Sequence, residues 1–164
     1  MTIQQPYVLF LGDAPDPLAA KVAQGIKDWR PGISVGQITL PGCKADMGLK
    51  NISVKEAVSL GAKTLVIGVA NRGGLISSKW MEVLKEAIVS GLDIASGLHN
   101  LLRDEKELVD LSKSNNTQLI DVRVPTINYP IADGKKRKGM RCLAVGTDCS
   151  IGKMYTAIAL EKEM

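Results

Sequence analysis

Thr64-Leu65-Val66-Ile67-Gly68-Val69-Ala70 is the stretch on which the fold turns. It is apolar throughout, with β-branched residues at Val66, Ile67 and Val69, the pattern of a strand covered on both faces. Such a strand belongs at the centre of a sheet. On its N-terminal side, Tyr7–Leu11 is a second apolar run that stops at Gly12-Asp13-Ala14-Pro15-Asp16-Pro17. Leu18, Ala19, Val22, Ala23 and Ile26 then recur at helical spacing. Asp16 is the expected N-cap, with Pro17 at the first helical position, and Pro31-Gly32 ends the segment. Ile33 to Leu40 predicts another strand, anchored by Val35 and Ile38 and closed by Pro41-Gly42. After a loop with Cys43, Asp46 and Gly48, Ser53 caps a short helix from Val54 to Leu60, which Gly61 stops.

Downstream of the central strand, Asn71-Arg72-Gly73-Gly74 leads into Lys79–Ser90, where Trp80, Val83, Leu84, Ala87 and Ile88 mark one helix face. Asp93 to His99 reads as a fourth strand and turn, Glu105 to Ser112 as a helix, and Gln118 to Val124 as a fifth strand before Pro125. Strands alternating with helices predict an α/β fold: an open, mostly parallel Rossmann-like sheet with right-handed crossovers, over residues 1–125. Residues 126–139 read as a basic linker, and 140–164 as the first strand and helix of a further, truncated domain. Ligands of such sheets gather outside the C-terminal strand ends. The loops there are Gly12–Asp16, Asn71–Gly74, Ser96–Asn100 and Asp121–Pro125. None holds a G-x-G-x-x-G fingerprint, so a nicotinamide dinucleotide is not supported.

Composition narrows the class. At 164 residues and 45% hydrophobic content, with mean hydropathy +0.06, the chain suits a soluble protein with one core and is too short for two complete domains. Its apolar runs are far shorter than a membrane span, and the N-terminus lacks a signal-type segment, which predicts a cytoplasmic protein. The three cysteines, Cys43, Cys142 and Cys149, contain no C-x-x-C pair, which argues against a disulfide framework and a zinc site; no metal ligands are assigned. The net charge is +4, but Lys135-Lys136-Arg137-Lys138 supplies four of the 21 basic residues and the remaining 17 balance the 17 acidic ones. That run is either a solvated linker or an accessory phosphate contact. With no aromatic residues interleaved, it does not read as a nucleic-acid site. The expected partners are a small-molecule substrate and further copies of the chain, with neither nucleic acid nor membrane.

Near the C-terminus, Cys142-Leu143-Ala144-Val145 can be a buried strand running into Gly146-Thr147-Asp148-Cys149-Ser150-Ile151-Gly152-Lys153, and Met154 to Leu160 reads as a helix. Strand, glycine-bounded loop, lysine and helix are the parts of a phosphate-binding P-loop. Backbone N–H groups at the helix start and the Lys153 charge would meet phosphate oxygens. Gly146, Thr147, Asp148, Cys149, Ser150, Ile151, Gly152, Lys153 and Met154 are the candidate binding residues. A Walker loop places Ser or Thr after the lysine to ligate magnesium. Here that position is Met154, a poor magnesium ligand, and Thr156 lies two residues further round the helix. Only 11 residues follow Lys153, with no strand ending in an acidic residue among them, so the chain is expected to be a fragment of a longer protein.

Ser96-Gly97-Leu98-His99, Asp121-Val122-Arg123-Val124-Pro125 and the G-T-D-C-S-x-G-K-M segment at 146–154 together resemble a bacterial and archaeal family long catalogued as a domain of unknown function. It pairs an N-terminal Rossmann-like domain with a C-terminal P-loop domain and includes D-glutamate N-acetyltransferases. A more distant similarity, confined to the G-T-D-x-x-x-G-K turn, is to the P-loop of dethiobiotin synthetases. The family resemblance implies acetyl-CoA as co-substrate and an acidic D-amino acid such as D-glutamate as acceptor. It also gives Met154 a meaning, because a CoA pyrophosphate can be held by N–H groups and Lys153 without a hydroxyl on magnesium.

Acyl transfer needs a base for the amine and donors for a tetrahedral oxyanion. His99, the only histidine, sits at a predicted strand end and is either that base or a loop histidine held by hydrogen bonds. Asp148 bonds backbone N–H groups or an incoming amine and is a second catalytic candidate. Arg72 and Arg123 are candidate clamps for substrate carboxylates, or else surface or ion-paired arginines. Cys149 facing the helix start would have a lowered thiol pKa, which makes an acyl-cysteine conceivable. Asp13 and Asp16 read as turn and cap residues. The rival functions are an ATP- and magnesium-dependent P-loop ligase and a non-catalytic Rossmann-like module.

Overall fold

Alternating strands and helices are what the chain forms. The computed structural model describes residues 2–70, 76–124, 128, 131, 134–135, 138–147 and 151–164. Two units divide the chain, Met1–Thr126 and Ile127–Met164. The first contains β1 (Tyr7–Gly12), α1 (Lys21–Trp29), β2 (Ser34–Thr39), α2 (Val54–Ser59), β3 (Thr64–Ile67), α3 (Ser78–Val89), β4 (Asp93–Ser96), α4 (Lys106–Ser114) and β5 (Leu119–Asp121). All five strands are parallel, in the order β2-β1-β3-β4-β5. This is a doubly wound order whose direction reverses between β1 and β3.

The core lies on both faces of the sheet. Leu9, Phe10, Leu65, Leu84, Ile88 and Ile94 are among its wholly buried side chains. Helices α2, α3 and α4 pack side by side, and Trp80 of α3 meets Phe10 of β1 edge-on, with ring centroids 5.4 Å apart at 87°. Helix α1 packs on β1 and β3, where a Cβ on Gly68 would lie 2.5 Å from the Ala23 Cβ. Gly68 therefore sets how closely α1 approaches the sheet.

Local chemistry shifts several expected boundaries. The central strand stops at Ile67 and not Ala70, because Ala19 and, in α1, Ala23 take backbone groups beyond it. Ala23 N–H donates to the Gly68 carbonyl at 3.1 Å, and Ala70 N–H donates to Ala19 O at 2.8 Å. The first helix opens as a 3-10 turn over Pro17–Ala20, capped by Asp16, whose Oδ1 accepts from Ala19 N at 2.8 Å. Strand β5 is three residues long because the chain turns at once, with Val124 N–H donating back to Asp121 O. The loop after β2 is organised by buried Gln37, whose Nε2 donates to Asp46 Oδ1 at 2.9 Å while its Oε1 accepts from Met47 N at 2.9 Å. Pattern reading gave Gln37 no role.

Helix α2 starts with a capping box. Glu56 N–H donates to Ser53 Oγ at 3.2 Å, and Ser53 N–H returns a 2.8 Å bond to Glu56 Oε2. The Ser53 N–H first, and then its hydroxyl, hold the Glu56 carboxyl below its ordinary value. A folded-state value below the unfolded one means stability that is fully present above about pH 4.3 and lost as pH falls through the folded value. Urea unfolding of wild type and Glu56→Gln is therefore expected to differ most at neutral pH and to converge in acid. A gap that widened on acidification would contradict the capping-box account.

In the second unit, α5 (Lys153–Glu163) forms but the expected strand does not. Cys142–Val145 makes no strand, and Leu143 and Val145 are exposed where burial was expected. A strand needs a neighbour for its N–H and C=O groups, and the described residues of Ile127–Met164 include no second strand. Helix α5 buries none of its side chains.

Candidate functional site

The C-terminal ends of β1, β3, β4 and β5 bring the chemistry-bearing residues of the first unit to one sheet edge. At β1, Gly12 has φ +53°, and a Cβ there would meet the Trp80 indole at 2.7 Å. Only glycine both adopts that backbone and leaves room for the ring. Trp80 is 2% exposed, and its Nε1 donates to Asp13 Oδ1 at 2.7 Å. Asp13, expected as a plain turn residue, thus ties the β1 loop to the first turn of α3. The sequence clue was an aspartate closing an apolar strand, but its tryptophan partner lies 67 residues away.

At β4, Ser96 Oγ accepts from Leu98 N at 3.1 Å, tightening the turn that buries Leu98 and leaves His99 exposed. At β5, Asp121 is buried and its carboxylate is fully engaged across the edge. Leu102 N donates to Oδ1 at 2.7 Å, and Arg103 N and Nε each donate to Oδ2 at 3.3 Å. Asp121 is therefore a brace for the segment after β4. Two residues on, exposed Arg123 reaches back to the β4 turn, where its Nη1 lies 3.2 Å from His99 Nε2. A guanidinium can only donate, so a hydrogen bond between the two has Nε2 as its acceptor. The expected base and one of the two expected carboxylate clamps are thus in contact with each other. Arg72 lies outside the described residues.

The second unit holds the P-loop segment. Gly152 has φ +96° immediately before α5, a left-handed position suited to glycine, and its carbonyl accepts the first helical bond from Thr156 N at 2.9 Å. A Cβ on Gly146 would collide with the Ile151 side chain, so the two ends of the loop approach closely. Lys153 is the first residue of α5, and Met154, 60% exposed, follows it. Thr147 is exposed, while Asp148, Cys149 and Ser150 lie outside the described residues. The loop thus has a left-handed glycine and a lysine at the start of an 11-residue helix, features compatible with holding phosphate oxygens. Among the described residues, no helix is long and apolar enough to cross a membrane.

Residues 38–125 match the model of a Rossmann-like domain of unknown function, DUF1611_N, and residues 130–164 match the P-loop domain that accompanies it. The chain belongs to the DUF1611 family. It is 64% identical over 162 residues to a D-glutamate N-acetyltransferase of Tritonibacter scottomollicae, covering 99% of this chain and 49% of that protein. A protein of the same name from a Pseudoalteromonas species is 50% identical over 164 residues, covering 100% of this chain and 49% of that protein. The chain therefore spans about half the length of the curated relatives it matches. The crystal structure of a DUF1611 protein from Anabaena variabilis superposes with a TM-score of 0.65 at 23% identity, over 80% of this chain and 40% of that one. It carries the same fold.

Proposed function

We propose that the protein carrying this chain is an N-acetyltransferase that moves an acetyl group from acetyl-CoA to the amino group of an acidic D-amino acid such as D-glutamate. The observation that carries this reading is the 64% identity to a D-glutamate N-acetyltransferase along almost the whole chain. The chemistry of the residues is compatible with it. A P-loop lysine followed by Met154 suits a pyrophosphate anchor better than a magnesium-dependent hydrolase. In the reaction, the amine nitrogen bonds to the thioester carbonyl carbon, the C–S bond breaks, and the amine loses one proton. His99 is the base we assign, through Nε2. Arg72 and Arg123 are assigned to substrate carboxylates, and Asp148 to backbone N–H groups or the incoming amine. The active form is a cytoplasmic homo-oligomer.

A thermal-shift titration of the full-length protein tests the ligand. CoA without magnesium is expected to raise apparent stability by about 2.7 kcal/mol at a hundredfold excess over Kd. Lys153→Ala is expected to weaken CoA binding roughly tenfold or more, the loss of a charge-assisted phosphate contact. Stabilisation by ATP only, and only with magnesium, would replace this reading with a P-loop ligase in which Thr156 or another segment serves the metal. Acetyl transfer is then measured directly with D-glutamate.

A further inference from the structure

We propose that Arg123 is a substrate-operated gate on His99: while Arg123 donates to Nε2 the base is blocked, and a carboxylate on the acceptor draws the guanidinium away and frees it. This rests on the acetyl-transfer reading and adds to it the way the acceptor's carboxylate controls the chemistry. A general base must present a lone pair to the proton it removes. His99 Nε2 lies 3.2 Å from Arg123 Nη1, and because a guanidinium can only donate, their hydrogen bond occupies the Nε2 lone pair. The resting pair is therefore incompetent as a base.

Arg123 is poised to leave. The carboxylate two residues away, Asp121, is already committed to Leu102 and Arg103, so among the described residues Arg123 has only the His99 imidazole as a partner. A guanidinium bond to a carboxylate pairs two opposite charges and can be bidentate, whereas the bond to an imidazole has neither advantage. Both side chains are exposed and reachable from solvent. A bound acidic acceptor thus turns one contact into two events: its carboxylate is held, and Nε2 is released. The amine proton then passes to Nε2, the CoA thiolate leaves with the electrons of the C–S bond, and the imidazolium gives its proton up to water, so the base is regenerated in each turnover. Amines without a carboxylate leave the gate shut.

The tautomer of His99 reads the gate without relying on turnover. Long-range proton–nitrogen spectra of full-length protein labelled with 15N-histidine, with the His99 signals assigned by their loss in His99→Gln, are expected to show the Nδ1–H form. Arg123→Ala is expected to move His99 to the Nε2–H form that an unconstrained imidazole prefers. D-glutamate added to wild type is expected to shift it the same way. A resting Nε2–H form, or an Arg123→Ala spectrum identical to wild type, overturns the gate.

Kinetics supply the second arm. Arg123→Ala is expected to raise kcat for a simple alkylamine about tenfold, the lower end for a hydrogen bond with one charged partner, while kcat/KM for D-glutamate falls at least tenfold. A fall for both amines would make Arg123 merely structural and overturn the proposal. Wild type that transfers no acetyl group to any amine would instead refute the acetyl-transfer reading, and the spectra would still decide whether Arg123 controls the His99 tautomer.

Discussion

Trp80→Ala is expected to lower the unfolding free energy of the sheet unit by about 3–5 kcal/mol, the range for emptying a buried aromatic site. The indole is 2% exposed and meets Phe10 edge-on. It also fills the space that a side chain at Gly12 would occupy. Truncation leaves a cavity between α3 and the end of β1, and the glycine beside it has no side chain with which to close it. Asp13, being exposed, recovers water at little cost, so the loss is mainly packing. Trp80→Phe keeps much of the ring and removes the N–H donor, and should cost far less, roughly 1 kcal/mol for the hydrogen bond plus a small volume term. Urea unfolding of the two variants separates these contributions. A Trp80→Ala loss below 1 kcal/mol would mean that the indole is not a core residue.

On the proposed acetyl-transfer function, His99→Ala in the full-length protein is expected to slow transfer roughly 100-fold or more at saturating D-glutamate and acetyl-CoA, the lower end of what a positioned general base contributes. Its stability should be nearly unchanged, within about 0.5 kcal/mol, because the side chain is exposed and its hydrogen bond to Arg123 is a surface contact. The kcat readout separates the alternatives for this residue, and the stability readout shows that the variant is folded. A loop histidine held only by hydrogen bonds would show a small change in stability and an unchanged kcat. Turnover equal to wild type at saturation would remove His99 from the mechanism, and with it the gate proposed for Arg123.

Much of the sheet unit could be read in advance because its signals are local. The apolar run at 64–70, the Asp16 cap, the Ser53 cap and the face containing Trp80, Val83, Leu84, Ala87 and Ile88 each depend on residues within a few positions of one another. The ends of elements were less legible. Whether Gly68–Ala70 extends the strand is decided by Ala19 and Ala23, which take its hydrogen bonds from 45 or more positions away in sequence. Cys142–Val145 carries a strand pattern, but a pattern does not provide a pairing partner, and the described residues of that unit include no second strand.

The candidate site divides in the same way. Sequence alone marked His99 and Arg123 as strand-end candidates for a base and a carboxylate clamp, and Gly146, Gly152, Lys153 and Met154 as a phosphate loop without the usual hydroxyl. It also determined the alternation from which a parallel sheet follows. Only the tertiary structure decided the strand order, with β1 and β3 adjacent at the point of reversal. It also decided that Asp13 serves Trp80, that Asp121 braces Leu102 and Arg103, and that Arg123 is bonded to His99. The physical reason is range. Propensity, capping and periodicity act through neighbours in the chain, whereas a side-chain hydrogen bond across a sheet edge depends on which strands the whole fold has brought side by side.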